Sequence, residues 1–229
     1  MTKTQTRIPT QPRASLASPD RRDRSSRKPS VALFDYGSGN LRSAFRALER
    51  AGGDVTLTSD LDAARRADGL VVPGVGAYAA CMEGVRGHGL DAVIRERAAA
   101  EAPVLGICVG EQVLFEEGIE HGVRTKGVGV FEGCVEHLEA QRIPHMGWNT
   151  VTADAGMRLF AGIDAAERFY FVHSYAAKAT PPGALVATCA HDEPFIAAVE
   201  RGSVAATQFH PEKSGDAGYA LLSNWIKDL

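Results

Sequence analysis

A run of residues around Cys108 constrains the fold more than any other part of the chain. Pro103 leads into residues 104–107, a short apolar stretch that is typical of a strand buried on both faces. Gly106 and Gly110 flank the cysteine in the pattern G-x-C-x-G. In its serine form this pattern marks a strand that breaks sharply into a helix and presents a nucleophile. We therefore predict a strand, a strained turn at Cys108 and a helix, in that order.

The position of Cys108 also predicts its chemistry. Residues 113–115 are apolar, and we expect them to begin the helix, so that the thiol lies at a helix N-terminus. The partial positive charge of such a terminus favours the thiolate, which is the nucleophile. A small core residue, the usual role of an unpaired cysteine, is the alternative. The motif alone does not choose between the two.

A second motif supplies the groups that a nucleophilic cysteine needs. Residues 205–209 read as a strand that ends at His210, and Pro211 stops the strand so that Glu212 folds back beside the imidazole. A histidine oriented by a carboxylate is a general base. We therefore predict a catalytic triad of nucleophile Cys108, base His210 and orienting Glu212.

These two motifs resemble those of the class I glutamine amidotransferases, and the similarity spans most of residues 31–229. Further stretches narrow the resemblance to the glutamine amidotransferase subunits of imidazole glycerol phosphate synthase, in histidine biosynthesis. These stretches are residues 35–41 (DYGSGNL), 73–78 (PGVGAY), 145–149 (HMGWN) and 170–175 (YFVHSY).

The resemblance implies a glutaminase that hydrolyses L-glutamine to glutamate and ammonia, with no cofactor and no metal. It also implies a heterodimer with a barrel-shaped cyclase subunit, which uses the ammonia to make imidazole glycerol phosphate and an aminoimidazole carboxamide ribotide. Sequestration makes chemical sense, because ammonia released into bulk water would be protonated and lost.

The glycine-rich stretch after the third predicted strand is a candidate oxyanion hole. Glycines there allow backbone N–H groups to approach a developing oxyanion without an intervening side chain. We assign the hole to the backbone of Gly74, Val75 and Val109. The resemblance implies that a peptide of this stretch rearranges before its N–H points inward.

The resemblance also assigns the substrate and partner contacts. Gln112 would contact glutamine, and the backbone of Ser174 and Tyr175 would bind its α-carboxylate. Asn40, Trp148 and Asn149 would face the partner subunit. For Trp148 a role in the core is the alternative, since large aromatic side chains bury readily.

Glu111 departs from the resembled family, in which methionine is common at this position. A carboxylate three residues after Cys108 would raise the pKa of the thiol. It would also repel the α-carboxylate of glutamine or pair with its α-ammonium group. A solvated glutamate that complements the helix N-terminus is the alternative.

The whole pattern predicts the α/β fold that the resemblance implies, three-layered and flavodoxin-like with a mostly parallel sheet. Strands and helices alternate up to about residue 118, which favours parallel strands covered on both faces. Later strands follow one another without long helices between them, which indicates antiparallel additions. They are predicted at residues 128–131, 150–152, 169–172, 185–188, 195–199 and 204–208, before a closing helix at residues 216–229.

We predict one domain at residues 31–229, preceded by a disordered basic extension at residues 1–30. The extension has eight Lys and Arg residues against Asp20 and Asp23, and almost no large apolar side chains. It lacks the interleaved aromatic residues of a nucleic-acid arm, and we assign it no function. No long apolar run or secretory h-region is present, so we expect a cytoplasmic protein without membrane or nucleic-acid partners.

Other functions remain open from the sequence alone. The chain could serve a different synthase, such as pyridoxal phosphate synthase or anthranilate synthase, or it could be a cysteine peptidase of similar architecture. It could also be a scaffold subunit that has lost its glutaminase, and Glu111 is the residue that favours this reading.

Overall fold

The computed structural model describes residues 27–229 of the chain. Residues 1–26, which make up most of the predicted disordered extension, lie outside the described residues. The first strand already begins at Ser30, the last residue of that predicted extension.

The chain order matches the predicted change of pattern, from strands alternating with helices to a series of strands closed by a helix. The helices are α1 (Leu41–Arg50), α2 (Leu61–Arg66), α3 (Tyr78–Gly87), α4 (Leu90–Ala99), α5 (Val109–Gln112) and α6 (Gly215–Lys227). The first strands are β1 (Ser30–Phe34), β2 (Asp54–Thr58), β3 (Gly69–Gly74), β4 (Val104–Cys108), β5 (Phe115–Glu120), β6 (Val123–Lys126) and β7 (Phe131–His137). The later strands are β8 (His145–Thr150), β9 (Thr152–Ala153), β10 (Arg168–His173), β11 (Tyr175–Ala177), β12 (Leu185–His191), β13 (Glu193–Arg201) and β14 (Val204–Thr207).

The main sheet has eight strands in the order β2-β1-β3-β4-β14-β13-β12-β9. The strands from β2 to β14 pair in parallel, whereas β13, β12 and β9 add antiparallel strands on the other side. Strands β3, β4 and β14 are buried along their whole length, which explains their apolar sequences. The predicted α/β class with antiparallel additions in the C-terminal half is confirmed.

The helix predicted to begin at residues 113–115 is wrong. Helix α5 has only four residues, and Phe115 starts strand β5 of a second sheet with the order β11-β7-β5-β6. The side chains of Val113, Leu114 and Phe115 are all fully buried, and the Phe115 ring packs 5.5 Å from that of Phe131. Three consecutive buried residues cannot share the single apolar stripe of a surface helix, so packing overrides the helical pattern.

The closing helix is confirmed, and it packs closely against the chain that follows β14. Its buried side chains are Ala217, Leu221, Leu222, Trp225 and Ile226. A 3₁₀ turn at Pro211–Lys213 precedes the helix. A Cβ atom at Gly218 would overlap the carbonyl oxygen of Pro211, so the glycine permits this close approach. Within residues 27–229 no helix is long and apolar enough to cross a membrane.

Strands β8 and β10 form a third sheet, and two buried histidines are paired on these adjacent strands. His145 Nδ1 lies 3.1 Å from His173 Nε2, and His173 Nδ1 lies 3.0 Å from the carbonyl oxygen of Tyr175. Because a carbonyl only accepts, His173 carries its proton on Nδ1 and its Nε2 accepts from His145. The His173 ring is therefore neutral. Burial lowers the pKa of His145 to about 4 and that of His173 to about 3.

This pair predicts that the fold loses stability in acid. The folded-state pKa values lie below 6.5, so the unfolded chain binds more protons as the pH falls from 6.5 towards about 4. Each histidine should lower the free energy of unfolding by on the order of 1 kcal/mol for every unit that the pH falls within that window. Urea unfolding at a series of pH values measures the effect.

The matched variant is His173→Gln, which keeps a donor and an acceptor but does not titrate. We expect it to be less stable than the natural chain at neutral pH and to lose less stability on acidification. The same loss in both proteins would show that the histidine pair is not responsible.

Candidate active site

Cys108 lies at the C-terminal end of β4 in a strained backbone conformation. Its φ of 57° and ψ of −115° are rare for a residue with a side chain. The flanking glycines are required by close approach. A Cβ at Gly106 would lie 2.6 Å from the Gly110 carbonyl oxygen, and a Cβ at Gly110 would overlap the Val72 carbonyl oxygen. The predicted turn is thus present, in a site at the edge where ligands bind in parallel sheets.

The Cys108 thiol is 4% exposed, and burial raises its pKa to about 12. A hydrogen bond from the Val109 backbone lowers the pKa, as the position before α5 predicts, but one helical turn provides little stabilisation. The charges of Glu212 and Glu111 raise it further. The helix N-terminus thus favours the thiolate, as predicted, but desolvation of the buried thiol outweighs this effect.

His210 and Glu212, the predicted base and orienting carboxylate, are in direct contact. His210 Nδ1 lies 2.7 Å from Glu212 Oε1, and both side chains are 3% exposed. The carboxylate accepts, so the proton resides on Nδ1 and Nε2 is left as the basic nitrogen. No hydrogen bond joins His210 to Cys108 within residues 27–229, but the charge of Glu212 acts on the Cys108 thiol. The two motifs, 100 residues apart in sequence, therefore converge on one site.

The predicted substrate residues Gln112 and Tyr175 are in contact. Gln112 Nε2 donates to the Tyr175 carbonyl and to Gln208 Oε1, both at 2.9 Å. Ser174, the third predicted substrate residue, accepts from the Leu138 N–H through its carbonyl. Sequence reasoning missed Gln208, whose Nε2 lies 3.9 Å from Cys108 Sγ. Its place two residues before His210, near the end of the predicted strand, was the available signal.

The candidate oxyanion hole is only partly arranged to receive a charge. Gly74 pairs with Cys108 in the parallel register of β3 and β4, which brings the glycine-rich stretch beside the nucleophile. Val75, however, donates its N–H to Ser38 Oγ at 3.2 Å, and the Ser38 hydroxyl donates to the Val75 carbonyl at 2.7 Å. Val75 can serve as an oxyanion donor only after these bonds break. Val109, the third assigned residue, follows Cys108 directly.

Glu111 is not the solvated glutamate that the sequence allowed. Its side chain is 1% exposed, and Oε1 has no hydrogen-bond partner among the described residues. Burial raises the pKa of Glu111 well above its ordinary value. The site therefore carries a buried carboxyl group whose charge is unfavourable both for itself and for the neighbouring thiolate.

The predicted partner residues lie at or near the surface. Trp148 is 52% exposed, which excludes the core alternative for this residue. Asn40 is exposed before α1, and Asn149 donates from Nδ2 to the Ala190 carbonyl at 3.1 Å. Met146, two residues before Trp148 on the same face of β8, is 63% exposed and was not predicted. Strand alternation with Trp148 was the signal for it.

No group of three or more His, Cys, Asp or Glu side chains in the described part of the chain is arranged to hold a metal ion.

Comparison with known proteins agrees with this geometry. Residues 32–229 match the family model for glutamine amidotransferase class-I. The imidazole glycerol phosphate synthase subunit HisH of Mycobacterium bovis is 60% identical over 202 residues, covering 87% of this chain and 98% of that protein. The subunit HisH of Streptomyces avermitilis is 57% identical over 207 residues, covering 87% of this chain and 96% of the relative.

Solved structures share the fold at low sequence identity. A crystal structure of a glutamine amidotransferase has a TM-score of 0.67 at 21% identity, covering 84% of this chain and 98% of its own. The PurLQS structure from Thermotoga maritima has a TM-score of 0.66 at 20% identity, and the match covers 88% of this chain and 99% of the chain in that structure. The fold, the site geometry and the family model lead to one conclusion: the chain belongs to the glutamine amidotransferase class-I family.

Proposed function

We propose that the chain is the glutaminase subunit of imidazole glycerol phosphate synthase, working in the cytoplasm on L-glutamine. The observation that carries the proposal is the His210–Glu212 pair beside the strained, buried Cys108. The choice of synthase rests on the relatives named above, which are about as long as the matched region and 57–60% identical to it.

In the proposed mechanism Cys108 Sγ attacks the side-chain amide carbon of glutamine. Because burial raises the pKa of the thiol to about 12, the thiolate is scarce at neutral pH. Proton transfer to His210 Nε2 must therefore accompany the attack, and Glu212 stabilises the imidazolium that results. The tetrahedral oxyanion is held by the backbone N–H groups of Val109 and Gly74.

The imidazolium then returns its proton to the leaving nitrogen, which departs as ammonia and leaves a γ-glutamyl thioester. Water attacks this thioester while His210 accepts a proton from the water. The C–S bond then breaks, glutamate is released, and the imidazolium returns its proton to Cys108 Sγ to restore the thiol. Val75 becomes a further oxyanion donor when its N–H leaves Ser38. Breaking that bond is a step at which partner binding can control the rate.

We propose that the cyclase subunit docks on the outer face of the β8–β10 sheet. In the register of these strands Trp148 faces Tyr170 and Met146 faces Val172, and we call these four residues the docking face. The two exposed apolar side chains, Met146 and Trp148, lie on this face. An exposed tryptophan beside other apolar groups is typical of an interface anchor.

The first prediction of this proposed function is that glutamate release from glutamine requires the Cys108 thiol and the cyclase subunit. We expect strong activity from the chain with the cyclase barrel and its nucleotide ligand, and weak activity from the chain alone. Cys108→Ala should abolish release in every mixture while leaving synthesis from added ammonia intact. If the complex forms and uses ammonia but never releases glutamate from glutamine, the chain is a scaffold and the glutaminase proposal is wrong.

The second prediction concerns the buried carboxyl group. Glu111→Met removes a buried carboxyl group whose Oε1 has no hydrogen-bond partner among the described residues and whose ionised form opposes the thiolate. We expect glutaminase activity to rise about threefold or more, and the free energy of unfolding to rise by about 1–3 kcal/mol. Glu83→Met, at an exposed position of α3, is the matched control and should change neither quantity. Unchanged kinetics and stability in Glu111→Met would refute this account.

The third prediction tests the docking face. Trp148→Ala should weaken binding of the cyclase subunit about thirtyfold, as expected for the loss of about 2 kcal/mol at an anchor. Val123→Ala removes a comparably exposed apolar side chain from β6, in another sheet, and should leave the affinity unchanged. Titration calorimetry measures both. Equal affinities for the two variants would place the partner elsewhere.

A further inference from the structure

Ser214 links the catalytic histidine to a neighbouring strand. It follows the 3₁₀ turn, is 2% exposed, and donates from its hydroxyl to the His210 carbonyl at 2.7 Å. The same oxygen accepts the N–H of Tyr170, in β10, at 3.0 Å. The His210 N–H in turn donates to the Tyr170 carbonyl at 2.9 Å. These three bonds join His210, Ser214 and Tyr170 in a closed ring, which we call the His210 clamp.

The Ser214 hydroxyl does not perform the usual task of a serine at this position. A serine before a helix normally accepts an N–H from the first turn, but Ser214 makes no such bond to α6. Only its backbone serves the helix, by accepting the Gly218 N–H at 3.1 Å. The hydroxyl instead donates to the carbonyl of His210, the predicted base.

The clamp fixes the main chain at the point where the imidazole is attached. His210 Nδ1 is already held by Glu212, so the ring is restrained at both its backbone and its side chain. Glu212 is attached to the same short turn, and its second oxygen has no hydrogen-bond partner within residues 27–229. Apart from the clamp, the hydrogen bonds that hold His210 within residues 27–229 therefore all come from this local turn.

We propose that Ser214 is a positioning residue for the general base, aligning His210 Nε2 through the clamp. The inference rests on the proposed glutaminase function. It adds a residue that does not touch substrate and acts only through His210. A displacement of the base on the order of 1 Å is enough to reduce turnover about a hundredfold, so a hydroxyl that fixes this segment has a large effect.

The experiment compares Ser214→Ala and Ser214→Thr with the natural chain, each assembled with the cyclase subunit. Ser214→Ala should lower kcat for glutamine at least about tenfold and leave KM within about twofold, because Gln112 and Tyr175 are untouched. Ser214→Thr retains the hydroxyl and should recover most of kcat. Synthesis from ammonia, which bypasses the base, should not change in either variant.

Ser223→Ala is the matched control, since it removes a buried hydroxyl on the same helix that has no hydrogen-bond partner among the described residues. We expect it to keep the natural kcat. If Ser214→Ala and Ser223→Ala have the same kcat as the natural complex, the proposal for Ser214 is wrong.

A readout that needs no catalysis separates this proposal from the glutaminase function. The Nδ1 proton between His210 and Glu212 should give a protected imidazole resonance in proton NMR, broadened by solvent exchange in Ser214→Ala. The Nδ1 proton of His173, bonded to the Tyr175 carbonyl, serves as an internal reference that should not change. If the His210 signal is lost in Ser214→Ala but the natural complex has no glutaminase activity, the positioning role of Ser214 is supported and the proposed glutaminase function is wrong. If the His210 signal is unaltered in Ser214→Ala, the positioning role of Ser214 is wrong.

Discussion

The close approach of two backbone segments at Gly110 is the constraint on which the site depends. Helix α5 lies so near the end of β3 that any side chain at Gly110 would overlap the Val72 carbonyl. This contact fixes the turn after β4 and holds Cys108 in a positive-φ conformation. The glycine-rich stretch after β3 is thereby set beside the nucleophile. The strain is local, and the buried parallel strands on either side of β4 supply the packing that maintains it.

The same packing determines the electrostatics of the site. It removes Cys108 from water, which raises the pKa of the thiol and makes the protonated form the stable one. It also buries Glu111 and Glu212, so two carboxyl groups surround a group that must become anionic. In the proposed mechanism, activation therefore does not rely on a preformed thiolate. It relies on a base that is aligned before substrate arrives, and on backbone amides that stabilise the oxyanion as it forms.

The sequence predicted those features that are determined by local pattern. The turn at Cys108, the pairing of His210 with Glu212 and the apolar stripe of the closing helix all follow from short-range rules. The strand at residues 115–120 could not be predicted, because its conformation depends on pairing with β7 and β6, which lie later in the chain. The high pKa of the thiol could not be predicted for a related reason. A helix terminus is visible in a sequence, but the depth of burial that opposes it is a property of the whole fold.

Strand β10 connects the docking face to the catalytic base. On its outer side the Tyr170 ring lies 5.9 Å from that of Trp148, and the Lys213 ammonium lies 5.9 Å from the centre of the Tyr170 ring. On its backbone the same residue exchanges hydrogen bonds with His210 and Ser214. If the partner docks as proposed, a shift of this strand would also shift the main chain of His210, because Tyr170 is hydrogen-bonded to it directly. The proposed docking face and the proposed base are thus linked through Tyr170, whose side chain belongs to the first and whose backbone holds the second.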